Sequence, residues 1–206
     1  SYQVNDEDAV RNAVRFVKEA RADVVKLEGA GPMLSRVKAI VDAGIPVVGH
    51  IGLTPQTSTK LGGFKTQGKT ASAARRLVDD ALELEAAGAF MLVLEAVPAP
   101  VAAEITMRVS IPTIGIGAGG ECDGQVLVYH DLLGLTEGHL PRFVKRYASL
   151  SREIRDALET YAAEVRSGAF PGPEHTYEMA PGELAAFYET AAATDGNAGG
   201  SVSASR

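Results

Sequence analysis

Short runs of consecutive apolar residues alternate along the chain with longer stretches in which apolar positions recur every three or four residues. The short runs stand at 24–28, 46–50, 90–95, 112–116 and 126–130 and predict strands. Before the first run, "NDEDAVRNAVRFVKEAR" predicts a helix with Asn5 or Asp6 as its cap. In "PMLSRVKAIVDAG", Met33, Leu34, Val37, Ile40 and Val41 recur at helical spacing. "ASAARRLVDDALELEAAG" predicts a helix closed by Gly88. Prolines open the helical stretch "PAPVAAEITMRVS". From "RDALETYAAEVRSGAF" onward the pattern is helical, and "PGPEHTYEMAPGELAAFYETAA" predicts a turn and a short amphipathic piece. The tail "TDGNAGGSVSASR" is rich in Gly, Ser and Ala, a composition that predicts disorder.

Nearly all-apolar strands alternating with helices predict parallel βαβ units. Polar residues gather at the C-terminal ends of these strands: Lys26 and Glu28, His50, Glu95, the glycines of 115–119, then His130 and Asp131. A TIM barrel carries its active site at that end of its strands. A doubly wound sheet also binds ligands there, so the pattern favours the barrel without excluding the alternative. A barrel needs eight strands and about 250 residues. Five strands with a helix in front read as the last five-eighths of one.

Composition narrows the function classes. The chain of 206 residues is long enough for one domain with a sizeable core. Hydrophobic residues make up 46% and charged residues 22%, as in an ordinary globular protein. A net charge of −6 argues against a nucleic-acid surface, which needs a basic stripe. The single cysteine, Cys122, allows neither a disulfide framework nor a cysteine zinc cluster, and makes a reducing cytoplasm the default. No apolar run approaches the roughly 20 residues of a membrane span, and no signal peptide is visible.

The polar interruptions of the strands are the candidates for chemistry. In "VVKLEGA", Lys26 and Glu28 are two residues apart and so share one face of a strand. They are either a buried ion pair or part of a metal or substrate site. Carboxylate oxygens suit Mg²⁺, which takes one or two carboxylates and keeps positions open for substrate; a lysine beside them offers a cation to an anionic substrate. Glu95 ends "MLVLE", where a carboxylate is costly unless paired or used. It reads as a general base or ligand, with a cap for the next helix as the plainer alternative. His50 is a candidate site residue or a hydrogen-bonded structural histidine. His130 and Asp131 fit a strand-end turn better than a site pair. His139 and His175 lie in loops and carry little signal. "GIGAGG" at 115–120 lacks the G-x-G-x-x-G spacing of a dinucleotide fingerprint. Its glycines allow close approach of a phosphate or a flat ring, or fit a tight turn. "KLGGFKTQGK", with Lys60, Lys65 and Lys69, reads as a lid, an anion-facing loop or a solvated loop. Nothing near Cys122 would activate a thiol.

These motifs, in this order, resemble ketopantoate hydroxymethyltransferase (3-methyl-2-oxobutanoate hydroxymethyltransferase). The resemblance rests on "VVKLEGA", "VVGHIGLTPQTSTKLGGFKTQGK", "DALELEAAGAFMLVLEAVPA", "IPTIGIGAGGECDGQVLVYHDLLG", "RFVKRYA" and "FPGPEHTY" and runs from about Ser1 to Tyr177. "GHIGLTPQ" followed by "GGFKTQGK" is its most specific part. The resemblance implies a (β/α)₈ barrel of the phosphoenolpyruvate mutase-like group. It implies transfer of a hydroxymethyl unit from 5,10-methylenetetrahydrofolate to α-ketoisovalerate, giving ketopantoate for pantothenate and coenzyme A. It also implies Mg²⁺, a homo-oligomer (often a decamer), small-molecule rather than nucleic-acid or membrane partners, and a cytoplasmic setting. By motif, Glu95 falls on the family's catalytic base, Glu28 on a metal-associated glutamate, Lys26 on a substrate-contacting lysine and His50 on an active-site wall that binds substrate.

One departure stands out. The family's two aspartate metal ligands, at the ends of strands two and three, have no counterpart in this sequence, and "SYQ" resembles residues just after the strand-three motif. The resemblance therefore implies a chain lacking about the first three strands, with 1–177 as the rest of the barrel and its closing helices and 178–206 as a largely disordered extension. It further implies an open parallel edge on the first strand, low stability and incomplete catalysis. Two other functions compete. One is a related barrel enzyme with a catalytic cysteine, against which the context of Cys122 counts. The other is a catalytically incomplete partial barrel serving only as an assembly partner or relic.

Overall fold

The computed structural model describes residues 1–57, 63 and 65–195, the side chains of 191–195 excepted. The chain divides into two compact units, 1–151 and 152–206.

The first unit is built on one parallel sheet. Its strands are β1 (Val25–Glu28), β2 (Val47–Gly52), β3 (Met91–Glu95), β4 (Thr113–Ile116) and β5 (Gly124–Gln125), hydrogen-bonded in sequence order. A doubly wound sheet reverses its strand order at a switch point. Here each strand simply adds beside the last, as in a section of a (β/α) barrel. Helices α1 (Asp6–Ala20), α2 (Leu34–Asp42), α3 (Ala71–Ala86) and α4 (Ala99–Arg108) complete the alternation.

The helix ends form where the sequence predicts. The Asn5 side chain accepts from the Asp8 N–H at 2.7 Å, and Thr70 caps α3 through the Ala73 N–H at 3.2 Å. Gly88, just past α3, takes φ +98°, and a Cβ there would press on Val41 of α2. The core lies between sheet and helices: Leu27, Ile51, Leu92 and Leu94 on one face of the strands meet Val37, Ile40, Ala81, Leu84 and Ile105 of the helices. Gly49 sits on that face because a Cβ would lie 2.8 Å from Leu92.

The fifth strand is a correction. The apolar run predicts it at 126–130, but pairing stops at Gln125, and Tyr129–Leu132 is a helical turn, α5. Val126 and Val128 are about half exposed, so no packed face demands that they stay in strand. At the other edge, among the described residues, β1 pairs only with β2. The Tyr2 hydroxyl occupies part of that open edge, donating to the Glu28 carbonyl and accepting from the Glu28 N–H, each at 3.2 Å.

The second unit begins within α6 (Leu150–Ser167), upstream of the boundary expected near 177. Not one side chain of α6 is buried, which leaves Ile154, Leu158, Tyr161 and Val165 as an exposed apolar stripe. Phe170 packs edge-on against Tyr161 and beside His175. Within the segment expected to be disordered, Pro181–Asp195 forms a helix, α7, with no amphipathic face. Residues 196–206 lie outside the described residues, and so does the expectation made for them.

Candidate active site at the strand ends

Parallel pairing puts partnered residues on the same face of a sheet. Glu28 is in register with His50, His50 with Val93, and Gly52 with Glu95. Lys26, Glu28, His50 and Glu95 therefore share the face turned away from the helices, at the C-terminal end. Four residues from three separated strands form one cluster.

His50 is its centre, 2% exposed. The Lys26 ammonium lies 3.2 Å from His50 Nδ1. An ammonium has only protons to give, so Nδ1 is the acceptor and the ring proton sits on Nε2. Nε2 lies 3.1 Å from Glu95 Oε2. The approach is close but poorly aligned, and Nε2 makes no proper hydrogen bond. On the other side, Glu28 Oε1 is 3.7 Å from His50 Nδ1 and 3.8 Å from Lys26 Nζ, while Oε2 accepts the Gln56 N–H at 2.9 Å.

The local backbone fixes this geometry. Gly52 takes φ +95°, and a Cβ there would lie 2.2 Å from the Glu95 carbonyl, so only glycine lets β2 and β3 approach so closely. That carbonyl then accepts the Leu53 N–H at 2.8 Å. Ala96 is in the left-handed region at φ +49°, a strained setting of about 1–3 kcal/mol immediately after the candidate base. It turns the chain away just as Glu95 leaves the strand.

The two carboxylates lie on opposite sides of the His50 ring, so they do not converge. Among the described residues no three His, Cys, Asp or Glu groups could hold a metal ion. Glu28 Oε1 lies near Lys26 and His50 with its partner oxygen held by the Gln56 N–H, and Glu28 fits as a single carboxylate ligand.

Beyond Glu95 lies a cavity of about 580 Å³. Lys65, Asp131, His139, Arg142 and Phe143 share its lining with Glu95. Asp131 thus reaches the site region, whereas the sequence favours a simple turn; its Oδ1 also accepts from the Thr136 hydroxyl at 2.6 Å. His130 stacks edge-on with Tyr129 instead. His139, with little signal in sequence, is on the wall, whereas His175 accepts the Gly172 N–H in a local turn. Lys60 lies outside the described residues. The glycine run resolves as a turn. Gly117 takes φ +69°, and a Cβ there would lie 2.5 Å from the Phe143 ring, so the flat group it admits is the protein's own.

Other titratable groups are displaced from their ordinary range. Burial raises the Tyr2 hydroxyl above 10.0, against the pull of the Glu28 N–H that donates to its oxygen, and the Glu28 charge adds to the rise. Burial also raises the Cys122 thiol, against hydrogen bonds with Thr106 and Thr113, so it is a poor nucleophile. Asp123 is lowered because its carboxylate accepts from the Thr113 N–H at 2.8 Å and from the Thr113 hydroxyl at 3.0 Å.

Sequence reasoning missed the Gln56 N–H, Tyr2 and the 139–143 wall. The turn residues Gly138 and Pro141 mark that segment as a shaped loop, but nothing local says what it faces.

Comparison with known proteins agrees with the motifs. Residues 1–173 match the family model described as ketopantoate hydroxymethyltransferase. A 3-methyl-2-oxobutanoate hydroxymethyltransferase of Heliobacterium modesticaldum is 59% identical over 179 residues, 87% of this chain and 65% of that protein. The enzyme of the same name from Nitratidesulfovibrio vulgaris is 57% identical over 187 residues, 91% of this chain and 61% of the relative. One from Clostridium botulinum is 52% identical over 188 residues, 91% of this chain and 68% of the relative. The chain spans about three-fifths to two-thirds of the length of the curated relatives it matches. No described helix is long and apolar enough to cross a membrane.

Proposed function

The chain belongs to the ketopantoate hydroxymethyltransferase family, and from that premise we propose that it takes part in moving a hydroxymethyl unit from 5,10-methylenetetrahydrofolate to α-ketoisovalerate. The observation that carries the reading is the convergence of Lys26, Glu28, His50 and Glu95 on one face at the strand ends. The whole protein is read as a (β/α)₈ barrel of the phosphoenolpyruvate mutase-like group, working as a homo-oligomer in the cytoplasm.

Each residue has a part that follows from its chemistry. The Lys26 ammonium, 45% exposed in its side chain, faces outward to draw the carboxylate of the keto acid. Glu95 takes the proton from C3. The His50 Nε2–H, 3.1 Å from Glu95 Oε2, would steady the carboxylate once the two align, while Lys26 holds the ring in the tautomer that makes it a donor. Glu28 would hold Mg²⁺, which supplies Lewis-acid polarisation of the keto oxygen when bound. The enolate carbon then bonds to the methylene carbon of the carrier, whose bonds to the carrier nitrogens break. Water supplies the hydroxyl oxygen, and its proton and the one removed by Glu95 end on those nitrogens.

Deuterium exchange at C3 of α-ketoisovalerate, followed by proton NMR in D₂O with Mg²⁺, isolates the first step because it needs no folate. Exchange by this chain that is lost in Glu95→Gln supports the proposal. Absence of exchange would favour a catalytically incomplete partial barrel.

A further inference from the structure

His50 and Glu95 stand on strands with a neighbour on each side, β2 and β3. Glu28 ends a strand of four residues that, among the described residues, has a neighbour on one side only. In a parallel ladder the N–H and C=O of one residue point to the same side, and successive residues alternate. The Val25 and Gly29 N–H groups bond the Pro46 and His50 carbonyls, at 3.1 and 2.8 Å, so these residues face β2. Both backbone polar groups of Glu28 therefore face the open edge.

The Tyr2 hydroxyl meets both of them. A phenol can donate and accept at once. This one donates to the Glu28 carbonyl and accepts from the Glu28 N–H, each at 3.2 Å, in the place a further strand would take. Tyr2 is itself tied down. Its side chain packs against the apolar core. On one side, the Ser1 carbonyl accepts from the Asn12 side chain of α1 at 2.9 Å. On the other, the Val4 carbonyl accepts from Arg36 of α2 at 3.3 Å, and Arg36 also pairs with Asp6 at 3.3 Å.

The Glu28 side chain is buried, and its tip is held at one point, where Oε2 accepts the Gln56 N–H at 2.9 Å. Lys26 and His50 stand 3.8 and 3.7 Å away, too far to fix the carboxylate by hydrogen bonds. Its place therefore depends on how firmly its own backbone is held, and an unpaired end of an edge strand opens readily to water.

We propose that Tyr2 is a positioning residue, whose hydroxyl clamps the Glu28 backbone at the open edge of β1 and so keeps the Glu28 carboxylate on the Gln56 N–H. The importance of that placement for chemistry rests on the transferase reading above; the clamp itself is a property of the chain without substrate or metal.

The test is native-state amide hydrogen exchange of the full chain, followed by NMR. Tyr2→Phe removes the hydroxyl and keeps the ring. Exchange at the Glu28 N–H should quicken about five- to ten-fold, the effect of losing one hydrogen bond. The Gln56 N–H should quicken too, although Tyr2 does not bond it, because the carboxylate that covers it is freed. Val25, bonded to Pro46 in the same strand, should keep its rate, and Tyr147→Phe should move none of the three. An unchanged Gln56 rate in folded Tyr2→Phe would overturn the proposal. Equal quickening at Val25 and Gln56 would also overturn it, by making Tyr2 a staple of the whole strand. Should Tyr2→Phe fail to fold, Asn12→Ala, which loosens the Ser1 tether, carries the test: quickening at Glu28 and Gln56 with Val25 unchanged supports the clamp, and no change overturns it. C3 exchange of α-ketoisovalerate then separates the two ideas. In Tyr2→Phe the Mg²⁺ concentration for half-maximal exchange should rise about five-fold while the rate at saturating Mg²⁺ holds. Absence of C3 exchange by the unsubstituted chain removes the reading beneath and leaves the clamp to be decided by the Gln56 amide.

Discussion

The two faces of one sheet do different work. On the helix side, Leu27, Ile51, Leu92 and Leu94 are fully buried against α-helical side chains. On the other side, residues in the same strands, one position away, are Lys26, Glu28, His50 and Glu95. Side chains alternate with a period of two, so five or six residues of strand serve packing and chemistry at once. The faces should therefore answer differently to substitution. Changes on the helix side should cost stability and leave chemistry, scaled to folded protein, intact. Changes on the site side should do the opposite.

The sharpest break is Glu95→Gln. The side chain keeps its size and loses only its capacity to take a proton. A positioned base contributes about 10²–10⁴-fold, so C3 exchange should fall by that factor. The thermal midpoint should hold within a degree or two. If it falls as far as for a core truncation, the separation of the faces is wrong.

Leu92→Ala is the counterpart. Leu92 is fully buried, directly beside Val93 of the site face. Truncation should cost about 2–5 kcal/mol, read from chemical denaturation. Exchange per folded molecule should stay near that of the unsubstituted chain. A hundred-fold loss would mean that packing on the helix side also positions the base.

His50→Gln tests the boundary between the two, because His50 is on the site face yet as buried as the core. Glutamine retains a donor but not a two-ended ring, so it cannot bridge Lys26 and Glu95 together. Exchange should fall about ten-fold, a loss near 1.4 kcal/mol in the barrier, mainly in kcat rather than KM. An unchanged rate would make His50 a packing residue.

How much of this was legible in the sequence follows from the range of the interactions. The alternation of strand and helix, the cap at Asn5, the stop at Gly88 and the shared face of Lys26 and Glu28 are local facts of period and chemistry. They read directly. The juxtaposition of Glu28, His50 and Glu95 was legible only as three polar strand ends. Strand register brings them together, and register is set by pairing across 20 to 45 residues. The fifth strand misled because "QVLVYHD" is apolar enough for a strand, while strand needs a partner and a covered face, and Val126 and Val128 have little cover. The site contacts of Tyr2, Gln56 and Arg142 were invisible for a related reason. The first two act through a hydroxyl and a backbone N–H placed by remote segments, and the third through a loop whose position depends on the fit of Phe143 against Gly117.

The smallest effect tests the seam where the sheet's packed face meets solvent. Asp123 clamps the start of β4 by accepting from both the N–H and the hydroxyl of Thr113, a residue that is itself fully buried on the helix side. Only the ionised carboxylate accepts from both groups at full strength, so the folded state holds its pKa below the ordinary 3.8. A depressed folded value stabilises the fold above the unfolded pKa, and that contribution disappears as pH falls through the folded one. Unfolding midpoints of the unsubstituted chain and Asp123→Asn should therefore differ most at neutral pH, and the gap should close only below about pH 3.8. Asp123 is exposed, so the gap should be small and should shrink with added salt. A gap independent of pH would assign the clamp to shape rather than charge, and would leave the seam as a matter of packing on the Thr113 side alone.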